Sequence, residues 1–107
     1  TPSSVQMLID TKRVPTTTRV VLMGGEALPR KTANELFDIL GEQARVYNVY
    51  GPTEATDLCL VDQIFPNDTG APLLGRPIAN TLAHVMTPFT FTQLPIGVPG
   101  ELVIQGP

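Results

Sequence analysis

Two short loops hold the residues whose types and spacing could do chemistry. The first reads Gly24-Gly25-Glu26-Ala27-Leu28-Pro29; the second reads Gly51-Pro52-Thr53-Glu54-Ala55-Thr56 and follows Tyr50. Glycines lack side chains and let backbone amides and carbonyls come close to a ligand. Tyr50 offers an aromatic face to a flat base, Thr53 a hydroxyl, and Glu54 a hard carboxylate oxygen of the kind magnesium takes. Together these groups suit a nucleoside triphosphate. Singly, each has a plainer reading: Gly24-Gly25 as a tight turn, Tyr50 as core, Glu54 as a solvated loop carboxylate. The two common nucleotide loops are disfavoured. No Gly-Lys-Ser or Gly-Lys-Thr follows the first loop, and its glycines lack the spacing of a dinucleotide fingerprint.

Both loops follow segments that read as strands. Val20-Val21-Leu22-Met23 is a continuous apolar run, the pattern of a strand buried on both faces, and Gly24 stops it. Residues 45–50, with Val46, Tyr47, Val49 and Tyr50, read as a second strand. Between them Ala33, Leu36, Phe37 and Leu40 recur at i, i+3, i+4 and i+7, which predicts a helix after Pro29 that Gly41 ends. Arg30 and Lys31 stand in its first turn, where the helix dipole disfavours cations, so the apolar stripe must hold it. Strand, helix, strand predicts a crossover between parallel strands. In such sheets ligands bind beyond the carboxyl ends of the strands, where the two loops lie.

Residues 2–10 predict a short helix, with Thr1 as cap, Pro2 at the first position, and Val5, Leu8 and Ile9 toward the core. Further strands are predicted at 58–65, 82–86 and 101–105, with a Pro-, Gly- and Asn-rich connection over 66–77. The fold class is α/β: a strand-helix-strand parallel unit over 1–65, then a β-rich part over 66–107.

The 107 residues carry a net charge of −3, with 42% hydrophobic and 16% charged residues, an ordinary balance for a chain that buries a core. Basic residues are scattered, so neither nucleic acid nor a membrane surface is an expected partner. No apolar run is long enough to span a bilayer. The one cysteine, Cys59, has no partner for an internal disulfide and reads as a small buried hydrophobe in a reduced, cytoplasmic compartment. His84, beside Leu82, Val85 and Met86, reads as a strand residue, and no metal-ligand cluster is spelled out. Thr1-Pro2-Ser3-Ser4 has no methionine, basic region or apolar stretch, so no targeting signal is expected and the chain is expected to start inside a longer protein.

The string Asn48-Val49-Tyr50-Gly51-Pro52-Thr53-Glu54-Ala55-Thr56 resembles the fifth core motif of nonribosomal peptide synthetase adenylation (AMP-binding) domains, whose pattern is Asn, any residue, Tyr-Gly-Pro-Thr-Glu. Three companions follow the family's order: Gly24-Gly25-Glu26-Ala27-Leu28-Pro29 upstream, Gly75-Arg76-Pro77-Ile78-Ala79-Asn80-Thr81 downstream, then the stretch from Gly97 to Gly106, similar to the opening of the sixth motif. The resemblance covers nearly the whole chain and implies an internal piece of the large N-terminal subdomain, a partial adenylate-forming-enzyme fold.

By position, the resemblance puts Asn48 and Tyr50 on adenine, with the Gly24, Gly25 and Gly51 backbone close by. It puts Thr53 on phosphate and Glu54 on Mg2+, the pair named catalytic. It places Val21, Met23, Val49, Asp57 and Leu58 around the amino-acid substrate. Asp57 is open to two readings, a partner for a basic or polar substrate side chain or a solvated carboxylate. The implied activity is ATP-dependent formation of an aminoacyl-adenylate, passed to the phosphopantetheine thiol of a carrier. The implied partners are the peptidyl carrier and condensation domains of the same synthetase. The family's earlier phosphate loop, its amine-binding and ribose-binding aspartates and its catalytic lysine lie outside this chain, so the chain alone is expected to be inactive. Two alternatives stay open: an acyl-CoA, aryl-acid or fatty-acyl-AMP ligase of the same superfamily, against which Pro52 speaks, and a non-catalytic module of the same fold.

Overall fold

The computed structural model describes residues 1–55 and 57–106; Thr56, which closes the long motif, and Pro107, where the sixth motif is cut, lie outside the described residues. Helix α1 (Pro2–Asp10) starts as its sequence predicts: the Ser4 amide donates to Thr1 Oγ1 at 3.4 Å, and Pro2 takes the first turn. Val5 and Ile9 pack against the core, whereas Leu8, expected to join them, is exposed. The inward face of α1 is therefore narrower than its apolar residues imply.

Strand β1 (Val20–Gly24) runs into helix α2 (Arg30–Leu40), which leads to strand β2 (Arg45–Tyr50), and the two strands pair in parallel from Val20↔Arg45 to Gly24↔Val49. Pro29 supplies no side-chain cap to α2. What holds the helix is its stripe: Ala33, Leu36, Phe37 and Leu40 are all buried, and Gly41 ends it at φ 84°. Strand β3 (Leu60–Ile64) returns antiparallel to β2, and a two-residue strand β4 (Arg76–Pro77) pairs with β3, giving the sheet order β1-β2-β3-β4. Strands β5 (Leu82–Met86) and β6 (Glu101–Gln105) form a separate antiparallel ribbon.

Within the sheet, register decides which side chains share a face. Val21, Met23, Val46 and Ile64 lie on one side, where the strand residues meet α2 and close the core with Leu28 and Ala44. The opposite face is uncovered. Val20 is 49% exposed and Leu22 58%, so β1 is not buried on both faces as its apolar run predicts. The reason is that α2 covers one side only and no element among the described residues crosses the other.

A polar seam joins the two helices. Gln6 accepts from Thr32 Oγ1 at 2.7 Å and donates to Glu35 at 2.8 Å, so the buried Thr32 hydroxyl is satisfied. Cys59 is buried, as expected of a small hydrophobe.

Candidate functional site

Parallel pairing of Met23 with Asn48 and Gly24 with Val49 brings the two loops out side by side. The close fit demands glycine. A Cβ on Gly24 would lie 2.5 Å from the Val49 carbonyl oxygen, and Gly25 takes φ +80°, a region that side chains disfavour. Beyond the strand ends is a cavity of about 470 Å³, walled by the 25–28 loop on one side and by Asn48, Val49, Tyr50 and Gly51 on the other. Gly25, Asn48, Tyr50 and Gly51 thus meet in one place, with Tyr50 37% exposed and its ring available to a ligand. Gly24 is half-buried in the turn itself.

The third wall is one that sequence reasoning missed. Ala71, Pro72 and Leu74 close the cavity, although the 66–77 stretch reads as a mere connection. Asn48, only 5% exposed, donates from Nδ2 to the Leu73 carbonyl at 2.7 Å and ties that wall to β2. A signal was present: four apolar residues in a row, 71–74, inside an otherwise polar loop, are what a loop carries when it covers something.

Thr53 and Glu54 are set apart from this cavity. The chain turns after Gly51, with the Ala55 and Asp57 amides donating to the Pro52 carbonyl, before Cys59 N–H rejoins β2 through the Tyr50 carbonyl at 2.8 Å. A Cβ on Gly51 would meet Leu58 N at 2.7 Å, so this return is tightly packed. The resulting 3-10 turn, Thr53–Ala55, sets Glu54 at a second cavity of about 650 Å³. That cavity lies between the main sheet and the β5–β6 ribbon and is bounded also by Leu58, Ile78, Asn80 and Ile104. Thr53 is exposed on the turn. Glu54 is exposed too, and its carboxylate makes no ion pair or hydrogen bond among the described residues. One free carboxylate beside a cavity fits a magnesium ion that draws its other ligands from phosphate and water. No group of three or more His, Cys, Asp or Glu among the described residues could hold a metal by itself.

The five residues assigned to the substrate do not gather in one cavity. Met23 is fully buried beneath α2 and Val21 packs against the same core. Val49 lines the first cavity and Leu58 the second, while Asp57 is exposed with φ 63°. Register explains the division: Val21 and Met23 share the α2 face of the sheet, and Val49 faces away from it.

Glu26, in the first loop, has a different task. Its carboxylate accepts from the Ser3 hydroxyl and, at 3.1 Å, from the Ser3 amide at the start of α1. The Ser3 hydroxyl first, and then its amide, hold Glu26 below the usual carboxylate range.

The model of the family described as AMP-binding enzyme matches residues 1–107. Among curated proteins, a linear gramicidin synthase from Brevibacillus parabrevis is 37% identical over 105 residues, 98% of this chain and 2% of that protein. Among solved structures, the nonribosomal peptide synthetase FmoA3, in a form with α-methyl-L-serine-AMP bound, superposes with a TM-score of 0.87 at 21% identity, over 99% of this chain and 13% of that one. A long-chain-fatty-acid-CoA ligase from Archaeoglobus fulgidus superposes with a TM-score of 0.77 at 19% identity, over 98% of this chain and 23% of that one. The two superpositions establish a shared fold. The chain spans only a small fraction of the length of the synthetases it matches.

Proposed function

The chain belongs to the AMP-binding enzyme family, and from that premise we propose that it is part of a nonribosomal peptide synthetase adenylation domain that activates an amino acid. The observation that carries this reading is the strand-end cavity where glycine-only turns, Asn48 and the Tyr50 ring converge, on a chain 37% identical to a gramicidin synthase. Adenine would lie against Tyr50, with the Gly24, Gly25 and Gly51 backbone around it and the Asn48 amide at its edge. Thr53 would meet phosphate, and Glu54 would give magnesium one ligand. Bound there, the ion would neutralise phosphate charge.

In the reaction, a substrate carboxylate oxygen attacks the α-phosphorus of ATP, the bond to the β-phosphate breaks, and pyrophosphate leaves. A carrier thiol then takes the acyl group and AMP departs. Catalysis of this kind rests on positioning and charge stabilisation, with no covalent bond to the enzyme. The amino-acid side chain would be read by residues of the Val21, Met23, Val49, Asp57 and Leu58 set, completed by parts of the parent beyond this chain. Partners would be the peptidyl carrier, with its phosphopantetheine, and the condensation domain, in a cytoplasmic setting. No helix among the described residues is long and apolar enough to cross a membrane. The division at 1–65 and 66–107 is kept as part of this proposal.

A second reading, a fatty-acyl or aryl-acid ligase, has the Archaeoglobus superposition behind it. That fold is common to both classes, whereas Pro52 and the identity to synthetases favour amino acids. The test is ATP–pyrophosphate exchange by the parent enzyme with amino acids, aryl acids and fatty acids. Exchange with an amino acid alone, lost in Glu54→Gln without loss of folding, is the expected result. Exchange with a fatty or aryl acid overturns the amino-acid assignment, and no exchange with any acid favours a non-catalytic module.

A further inference from the structure

The wall formed by residues 71–74 is held from outside itself. Among the described residues, no backbone–backbone hydrogen bond involves residues 69–74. The loop begins in a turn in which the Phe65 amide donates to Asp68 at 3.0 Å and the Asp68 amide donates to the Phe65 carbonyl at 3.2 Å. From there two side chains tether it. Asn48 holds the Leu73 carbonyl from the strand side. Arg30, from the first turn of α2, donates from Nε to the Gly70 carbonyl at 2.8 Å, and its Nη1 lies 3.9 Å from Asp68.

Arg30 stands where its charge opposes the helix dipole. Its side chain is 19% exposed, and Nη1 is buried without a hydrogen-bond partner among the described residues. Nothing in α2 itself favours a cation there, so its contribution is to the loop. Resting on the functional reading above, we infer that Arg30 is a positioning residue for nucleotide binding. It fixes Gly70 and Asp68 so that Ala71, Pro72 and Leu74 stand as the third wall of the cavity beside Tyr50. It touches no reacting atom, so its effect falls on affinity for the nucleotide and not on the chemical step.

The experiment uses the parent enzyme, unaltered and as Arg30→Met and Arg30→Lys. For Arg30→Met, the KM for ATP should rise about tenfold, the scale of one lost hydrogen bond to a charged group. The kcat and the KM for the amino acid should stay within about twofold of the unaltered enzyme. Arg30→Lys keeps a charge near Asp68 but not the fork that reaches Gly70, and should give a smaller rise. Limited proteolysis within residues 69–75 should quicken in Arg30→Met without nucleotide. An unchanged KM for ATP, or a fall in kcat and melting temperature with KM unmoved, overturns the inference. If the unaltered parent activates no carboxylic acid, the functional reading fails separately. Faster proteolysis at 69–75 then still supports Arg30 as the anchor of the wall, and unchanged proteolysis overturns it.

Discussion

Glu26 caps the start of α1 from 23 residues away, a task that belongs to tertiary structure and not to the helix's own sequence. Its folded pKa is depressed, so its contribution to stability is present above the unfolded carboxylate pKa and is lost as pH falls through the folded value. The melting-temperature gap between the unaltered protein and Glu26→Gln should therefore be widest near neutral pH and close as pH drops below about 4. A gap that stays constant over that range would mean that the Ser3 hydrogen bonds do not hold the charged form. At this scale the nearness of the motif residues was legible: glycine, asparagine and tyrosine pointed to one backbone-lined place, and Gly25, Asn48, Tyr50 and Gly51 line one cavity. Asn48's hydrogen-bond partner was not, because the Leu73 carbonyl reaches it only after a 25-residue excursion.

The helices and longer strands were read almost to the residue, since each carries its own local signal, whereas the two-residue β4 (Arg76–Pro77) fell inside the stretch read as a connection because only its pairing with β3 defines it. The α2 stripe, the Gly41 stop and the β5 and β6 runs coincide with what formed. The energetic centre is α2 against the sheet. Leu36 is 1% exposed in that contact, and Leu36→Ala should cost about 2–5 kcal/mol in urea unfolding of the parent domain. A cost under about 1 kcal/mol would show that the site collapses around the cavity, or that the stripe is not what holds α2. Burial on both faces of β1 was misread, because an apolar run signals a strand without saying whether a second layer covers it. The 66–77 connection was misread for the opposite reason: its turn residues signal a loop, and they say nothing of what the loop covers.

The molecule measures 49 × 27 × 21 Å with a radius of gyration of 15.6 Å, against about 13 Å for a compact domain of this length. It leaves Val20 and Leu22 bare on one sheet face and Phe89, Phe91 and Ile96 bare on the connection between β5 and β6. Apolar surface of this kind invites association. The isolated 107-residue chain should self-associate in sedimentation velocity, less so as Leu22→Lys, and should show no amino-acid-dependent pyrophosphate exchange. A monomeric chain that exchanges pyrophosphate would refute the expectation that essential groups lie elsewhere in the parent.

From sequence alone came the helices and longer strands, the parallel pairing of β1 with β2, the two glycine-bearing loops and the family resemblance, because periodicity, turn residues and motif strings are properties of neighbours along the chain. Tertiary structure decided the rest. It set Gly25 and Tyr50 on one cavity and Glu54 on another, left one sheet face open, and made the 71–74 loop a wall. Those outcomes depend on strand register, on the turn after Gly51 and on contacts between residues 25 to 40 positions apart, none of which a local pattern encodes.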